Sequence, residues 1–487
     1  MSTAFDYLRF FAVILEVLLI FNLVIIVHEL GHFLAARWRG AKVEEFGVWF
    51  GKPIWRKKIG EVWYSLGSIP AGGFVKLPQM APMETLEGES DTPKEELAPL
   101  GPIDKMIVAV AGPLFSFLLA LTLGCVTWLV GTPTSQPDLD TRIGSVNPGG
   151  PADIAGLKRG DKILAIDGNP VSRFSGPTKS VMWYIVSSQG DKIEFLIERD
   201  GEQKKISSGF TREDPKDPNP SKFRRRPMRK VMIGPLFEPY VDKVDEKSAA
   251  AAAGLKHGDV VLTANGVKII SLDQLVDVVK KGYTAPLELV VQRGEATVPV
   301  TLPPLAPKEG KAPDEIAGVE WGRFISAHPT PMVQVADSVR AIRNMIGAAL
   351  SPKGDIGPQS FSGPIGIMSV YKRMLETEDG WRLAIAFSVF FNVNLALVNM
   401  LPFPVLDGGH ITLAIIEGIR RRPVNARALE ILQTGCALLL VGFILFVSFF
   451  DVGDLLPKSK ATSIPQIEQK PTVIESAPSS ATPAPVP

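Results

Sequence analysis

Cysteine and histidine are both scarce in this 487-residue chain, and its charges nearly cancel. The two cysteines, Cys125 and Cys436, both lie in long apolar runs, which excludes a disulfide framework and a zinc-ribbon spacing. The formal net charge of +1 gives no basis for nucleic-acid binding, so we expect no nucleic-acid partner. Apolar residues, in contrast, make up 46% of the chain, which is high for a soluble protein.

Four segments are long and apolar enough to cross a bilayer, which takes about 20 helical residues. They run approximately over Tyr7–Ala36, Ile103–Val130, Trp381–Met400 and Leu429–Phe450. The corresponding domain boundaries are 1–40, 103–131, 381–410 and 429–450, and the third of these includes the Leu-Asp-Gly motif after the span. We expect the first span to be retained and not cleaved as a signal peptide, because it lacks a basic start and a small-residue cleavage site. The sequence therefore predicts a polytopic α-helical membrane protein with four transmembrane helices.

Basic residues in the short loops indicate the orientation of these spans. They follow the first span and precede the fourth: Arg37, Arg39, Lys42, Lys52, Arg56, Lys57, Lys58, Arg420, Arg421, Arg422 and Arg427. Because such loops stay in the cytoplasm, both termini and the long stretch between spans two and three are predicted to be extracytoplasmic.

The loop at residues 41–102 alternates aromatic and β-branched residues with glycines, which predicts two or more short strands. One interpretation is a small cytoplasmic hairpin. The other is a re-entrant β-hairpin that returns to membrane depth and offers a strand edge to an extended substrate. Residues 83–97, within this loop, are acidic and polar.

The extracytoplasmic stretch contains an internal repeat. The segment Ala155–Leu164, AGLKRGDKIL, matches Ala253–Leu262, AGLKHGDVVL, and a turn signal follows each at the same offset. The pattern resembles PDZ domains, α+β folds that bind peptide C-termini, in copies spanning 136–211 and 231–303. The alternative is two structural β modules that only cover the membrane face.

Two further segments flank the spans. Residues 304–380 form an extracytoplasmic linker with helical spacing over 333–350, which suits either a membrane-surface helix or a packed amphipathic helix. The tail at 457–487 is rich in Pro, Ala and Ser, and we predict no structure for it.

The chemistry is concentrated in one motif inside the first apolar segment, His28-Glu29-Leu30-Gly31-His32. Histidines four residues apart project from one side of a helix and can reach one metal ion. Glu29 lies beside the first histidine and can accept a proton from water activated by the ion. Two of the five histidines fall in this motif, so coincidence is a poor explanation.

A catalytic zinc site normally has three protein ligands, so one ligand is missing. Asp407 follows the third span, and the predicted topology places it on the same side as His28 and His32. Pro402 and Pro404 break the helix just before it. Asp407 is therefore the predicted third ligand. The alternatives are that Asp407 merely caps the next helix, or that His410 is the ligand.

Together the motifs resemble the site-2 protease family of intramembrane zinc metalloproteases. The resemblance rests on His-Glu-x-x-His in the first span and on Asn-x-x-Pro-x-Pro-x-Leu-Asp-Gly, which begins at Asn399. The paired repeats and the Gly-Gly-Phe-Val segment narrow it to the regulator-of-sigma-E branch. This implies Zn²⁺ bound by His28, His32 and Asp407, with Glu29 as acid and base.

The same resemblance implies the substrate-binding residues and the biological setting. Substrate contacts are expected at Asn399, Pro402, Pro404, Gly72, Gly73 and Phe74. The implied substrates are single-span membrane proteins, such as anti-sigma factors or remnant signal peptides, already cut once outside the bacterial inner membrane. Membrane lipid, and peptide C-termini at the PDZ-like domains, are the other expected partners.

Two hypotheses from other classes remain. A membrane-anchored PDZ scaffold with an inactive metal site would not need Glu29 and Asp407. A zinc transporter would need a series of ligands along a path, whereas the sequence shows one compact set.

Overall fold

A computed structural model describes residues 2–80, 97–98, 100–212, 225, 227–282, 285–304, 317–377, 379–422 and 424–455. The predicted unstructured tail at 457–487, nearly all of the acidic segment and most of the connector between the repeats lie outside these residues.

Four of the described helices are long and apolar enough to cross a membrane, as predicted. In chain order the helices are α1 (Ser2–Trp38), α2 (Pro102–Val130), α3 (Pro151–Ile154), α4 (Val181–Ser187), α5 (Ala249–Ala252), α6 (Leu272–Gly282), α7 (Pro331–Ala349), α8 (Pro364–Leu375), α9 (Gly380–Asn399), α10 (Asp407–Arg420) and α11 (Ala426–Leu455). The candidate spans are α1, α2, α9 and α11.

The segment 381–410 contains the third span and the start of a second helix, with the predicted break at the prolines between them. Helix α9 ends at Asn399, and α10 starts at Asp407 as a separate helix. Pro402 and Pro404 lie in the intervening turn, and proline has no backbone N–H with which to continue a helix. Asp407 is therefore the first residue of a new helix.

Helix α2 is the centre of the membrane part and packs against α1, α7, α9 and α10. Small residues make this close packing possible, and they line its buried face at intervals of three or four: Ala109, Gly112, Ser116, Ala120 and Gly124.

The loop after α1 forms a four-stranded mixed sheet, where the sequence predicted a hairpin. Its strands are β1 (Glu45–Phe50), β2 (Trp55–Ile59), β3 (Val62–Leu66) and β4 (Ile69–Lys76). The order is β2-β3-β1-β4, with β1 parallel to β3 and antiparallel to β4. Strand β4 is thus an edge, and it packs along α1.

The two repeats fold alike. The first contains β6 (Ile143–Val146), β7 (Lys162–Ile166), β8 (Asn169–Pro170), β9 (Ile193–Arg199), β10 (Glu202–Ser208) and β11 (Ile233–Pro235). The second contains β12 (Val241–Val244), β13 (Val260–Ala264), β14 (Val267–Lys268), β15 (Leu287–Arg293), β16 (Ala296–Leu302) and β17 (Val319–Trp321). Their sheets have matching orders, β10-β9-β7-β8 and β16-β15-β13-β14.

Each repeat is completed by a strand from beyond its predicted end. Strand β11 pairs with β6, although the sequence places residues 233–235 in the second copy. Strand β17 pairs with β12 from beyond residue 303. We call these complete units the first module and the second module. The closing strands were missed because long-range pairing has no local sequence signal.

A buried aspartate organises the repeated turn in each module. Asp161 accepts hydrogen bonds from Arg199 and from the Lys158 backbone N–H, at 2.6 and 2.8 Å. Asp259 makes the same contacts in the second module with Arg293 and Lys256, at 2.7 and 2.9 Å. The common motif therefore fixes one ionic turn twice.

The modules connect to the membrane part through a ribbon and a salt-bridge cluster. Strand β5 (Thr132–Ser135) directly follows α2 and pairs with β18 (Phe324–Ala327), which precedes α7. Separately, buried Asp451 of α11 accepts hydrogen bonds from Arg225 and from the backbone N–H groups of Gly363 and Gly366. This cluster joins α11 to the start of α8.

Candidate metal centre

His28 and His32 lie one helical turn apart on α1, with their Nε2 atoms 3.3 Å apart. The opposite nitrogens are held by α2: Nδ1 of His28 lies 3.0 Å from Ser116 Oγ, and Nδ1 of His32 lies 2.8 Å from the Val108 carbonyl oxygen. A carbonyl only accepts, so Nδ1 of His32 carries the proton. Its Nε2 lone pair is then free for a metal ion.

Close contact between α1 and α2 makes these bonds possible. A side chain at Gly31 would overlap the Ala111 carbonyl oxygen, and one at Gly112 would overlap the His32 imidazole. The sequence analysis missed Val108, Gly112 and Ser116. The only available signal was the four-residue spacing of Gly112 and Ser116, which places both on one face of α2.

Asp407 completes the cluster from α10. Its Oδ2 lies 3.3 Å from His28 Nε2, and its Oδ1 lies 3.3 Å from His32 Nε2. The helix N-cap is Leu406, so the structure does not assign the cap to Asp407. A side chain at Gly408 or Gly409 would overlap the backbone of the preceding turn, so these glycines let α10 start this close to it.

The three side chains fit a zinc ion. Their ligand atoms lie within 4.8 Å of one another, and among the described residues no other such group of histidine, cysteine and acidic side chains is found. Two imidazoles and one carboxylate are a common set for catalytic zinc. Asp407 Oδ2 is buried and has no hydrogen-bond partner among the described residues, which a cation would supply. His410 borders the same cavity but is not part of the group.

The cavity at this cluster has a volume of about 220 Å³ and is also lined by Glu29, Gly73 and Phe74. Strand β4 runs past Glu29 so closely that a Cβ atom on Gly73 would lie 3.0 Å from Glu29 Cγ. The absence of a side chain at residue 73 therefore leaves the acid open to the cavity. Phe50 is another lining residue that the sequence did not predict. Its ring stacks with that of Phe74, with the ring centroids 6.3 Å apart.

The remaining predicted substrate-binding residues divide into two groups. Asn399 ends α9 and lines the cavity, with Nδ2 3.2 Å from His28 Nε2. Pro402 and Pro404 lie in the turn before α10, and Gly72 lies in β4; none of these three is among the lining residues. Gly72 has φ of +74°, a left-handed conformation that favours glycine.

Known proteins are similar in sequence to this chain over most of its length. The model of Peptidase family M50 matches residues 16–443. A Vibrio cholerae protein named "Putative zinc metalloprotease" is 30% identical over 84% of this chain and 91% of its own. Proteins named regulator of sigma-E protease from Salmonella typhi and Escherichia coli K12 are each 28% identical, over 88% of this chain and 96% of theirs. The predicted resemblance is confirmed: this membrane protein belongs to peptidase family M50.

Proposed function

We propose that this chain is a zinc metalloprotease that hydrolyses a peptide bond within the membrane-spanning segment of a single-span protein. The observation that carries the proposal is the His28–His32–Asp407 cluster. Its two histidines and Glu29 lie on α1, a helix long and apolar enough to span a membrane, and Asp407 joins them from α10. A hydrolytic site at this depth suits a substrate that also lies in the membrane.

The mechanism divides the work between the metal and Glu29. His28, His32 and Asp407 would hold the zinc ion, which when bound polarises the scissile carbonyl and lowers the pKa of water toward about 7. Glu29 accepts the proton of the attacking water on its carboxylate and then donates it to the departing amide nitrogen. Asn399 adds a side-chain amide at the cavity wall.

A membrane-spanning substrate must first unwind, since its carbonyl groups are hydrogen-bonded within its own helix. Each backbone group left unpaired in hydrocarbon costs several kcal/mol. The open edge of β4 beside Glu29 can replace those bonds by strand addition, with Gly73 and Phe74 against the substrate backbone. The Asn399 side-chain amide can accept or donate hydrogen bonds at the unwound part of the substrate. The turn that carries Pro402 and Pro404 keeps this part of the substrate close to the metal.

The two modules act as PDZ-like domains on the extracytoplasmic side of a bacterial inner membrane, where both chain termini also lie. They bind exposed peptide C-termini and admit substrates already shortened by another protease. Support comes from their repeated fold and from the basic loops that orient the spans. Because several relatives are named for regulating sigma E, anti-sigma factors and remnant signal peptides are the proposed substrates.

The proposal is tested with purified chain in proteoliposomes and a fluorescent single-span peptide that ends just outside the membrane. We expect about one zinc per chain and cleavage by the wild type. Glu29→Gln should keep zinc and lose about 10²- to 10⁴-fold in rate, because only proton transfer is removed. Glu16→Gln, on an exposed position of the same helix, is the matched control and should cleave normally.

The alternative of a scaffold with an inactive metal site gives a different result. A scaffold would bind peptide C-termini while wild type and Glu29→Gln both leave the substrate intact. Equal cleavage by the two proteins would also overturn the proposed mechanism.

A further inference from the structure

Trp49, at the end of β1, has an unfavourable backbone conformation. Its φ is +69°, a left-handed value that is rare for bulky side chains, and it is the only aromatic residue among the described non-glycine residues with positive φ. A conformation of this kind persists only where surrounding contacts enforce it.

The strained residue lies opposite an irregularity in β4. The pairing moves from Val48 with Gly73 to Phe50 with Ile69, so three residues of β4 face Trp49 alone. The extra residues form a bulge. Gly72 sits in it, and a side chain there would overlap the Phe50 ring. The bulge thereby places Phe50 against β4 at the cavity wall.

The Trp49 side chain is hydrogen-bonded to a residue inside the first span. The Trp49 indole Nε1–H donates a hydrogen bond of 2.6 Å to Asn22 Oδ1. The Asn22 amide also donates to the Leu18 carbonyl oxygen of its own helix at 2.7 Å. In hydrocarbon an unpaired amide or indole N–H is costly, so each group holds the other in place.

Asn22 lies on the same stripe of α1 as the proposed acid. Asn22, Ile25 and Glu29 are spaced by three and four residues, which places them along one helix face. The sheet touches both ends of this stripe. Trp49 bonds Asn22 at one end, while Gly73 approaches Ile25 and Glu29 at the other.

From this arrangement we infer that Trp49 and Asn22 are positioning residues for the proteolytic reaction. Their hydrogen bond fixes the edge strand β4 at its distance from Glu29, and so sets where a substrate strand lies relative to the metal. Neither residue lines the cavity, so their effect is exerted through β4 and Phe50. The inference rests on the proposed function.

The kinetic test uses Trp49→Phe, which keeps an aromatic ring and removes the N–H, and Asn22→Leu, which removes the acceptor. Each variant should raise KM by about tenfold with a smaller change in kcat, because a displaced edge strand binds substrate less well. Zinc content should stay at the wild-type level. The double variant should be no worse than the poorer single variant, since both remove the same contact.

Matched controls separate this bond from general effects of the substitutions. Trp55→Phe changes an exposed tryptophan of the same sheet. Asn394→Leu changes an asparagine of α9 whose hydrogen bond, within the described part of the chain, is to the Phe390 carbonyl oxygen of its own helix. Both should leave KM unchanged. A KM at the wild-type value in Trp49→Phe and Asn22→Leu, or fully additive losses in the double variant, would overturn the inference.

A second measurement does not depend on cleavage. Spin labels are placed at Leu19 on α1 and Ile69 at the start of β4, which are both exposed, in a background carrying Cys125→Ser and Cys436→Ser. The distance between the two labels reports the spacing of helix and sheet. Trp49→Phe should widen the distance distribution about twofold. An unchanged distribution refutes the positioning role, whereas loss of cleavage in the wild type refutes only the proposed function.

Discussion

Asp259 and Asp407 each have a buried carboxylate oxygen, and the hydrogen-bonding capacity of these oxygens is satisfied to different degrees. Asp259 in the second module has both oxygens bonded, by the Arg293 guanidinium and the Lys256 backbone N–H. Asp407 at the metal centre has one buried oxygen without a hydrogen-bond partner among the described residues. The Asp259 side chain is fully buried and that of Asp407 is 17% exposed, yet only Asp259 has both oxygens hydrogen-bonded by the protein.

The difference indicates which carboxylate stabilises the fold and which is kept for chemistry. Removing a buried carboxylate whose oxygens are all hydrogen-bonded by the protein is costly for folding. A buried carboxylate oxygen that the protein leaves without a hydrogen-bond partner is instead expected at a ligand site. The repeated pair at Asp161 and Arg199 follows the first pattern, which is consistent with a structural role in both modules.

The largest expected effect is on catalysis. Asp407→Asn should reduce zinc from about one per chain to nearly none and lower the cleavage rate by roughly 10³-fold or more, because a neutral amide is a poor zinc ligand. Metal analysis and the proteoliposome assay measure this. Thermal unfolding without zinc should be nearly unchanged; a large loss of stability would show that Asp407 is structural after all.

The reciprocal substitution should act on folding. Asp259→Asn removes the charge that pairs with the partly exposed Arg293 and should lower the free energy of unfolding of the second module by about 1–3 kcal/mol. Hydrogen exchange of residues 287–302 reports it, and zinc content should not change. Asp161→Asn is the matched variant, with the loss confined to the first module. If Asp259→Asn lowered the hydrogen-exchange protection of both modules equally, relative to wild type, the comparison would be contradicted.

A smaller effect is expected at the residue that orients His28. Ser116→Ala removes the hydroxyl 3.0 Å from Nδ1 and should weaken zinc binding by about 10- to 100-fold. Thr122→Ala, on the exposed face of the same helix, is the control, because the hydroxyl that it removes donates to the Leu118 carbonyl oxygen of that helix. Competition with a fluorescent chelator measures the affinity. Identical affinities would remove Ser116 from the site.

The smallest expected effect is the loss, in acid, of the stability that Asp259 contributes to the second module. Burial raises the pKa of Asp259, but hydrogen bonds from Arg293 and the Lys256 backbone outweigh it, so the pKa lies below its usual range. The unfolded module therefore binds the proton first, at about pH 4. The stability from this pair is complete above that pH and is lost as the pH falls through the lower, folded value.

The matched measurement is hydrogen exchange of residues 287–302 in wild type and Asp259→Asn at each pH. The difference in protection between the two proteins should shrink below about pH 4. A difference that stays constant down to the acid limit would contradict the assigned cause.

The three side chains that meet at the candidate metal centre could be predicted from the sequence, because their geometry follows from simple rules. His28 and His32 share a helix face by their spacing, and the predicted topology selected Asp407. The partners Ser116 and Val108 could not be predicted, since they depend on how α2 is rotated against α1.

The fold shows the same division. The four apolar helices follow from composition, and the repeat follows from matching segments. The closing strands β11 and β17 do not, because each pairs with a strand far away in sequence. Trp49 is the extreme case, since local preference opposes its left-handed conformation and only tertiary contact explains it.

The closing strands also fix an order of events during biosynthesis. Since β6 pairs with β11, the first module stays incomplete until the chain has emerged past residue 235. The second module must wait for β17, almost at the start of α7. Maturation is therefore vectorial, with the two modules finishing one after the other as the nascent chain lengthens. A polypeptide truncated after residue 303 would carry an unfinished second module with an open β12 edge.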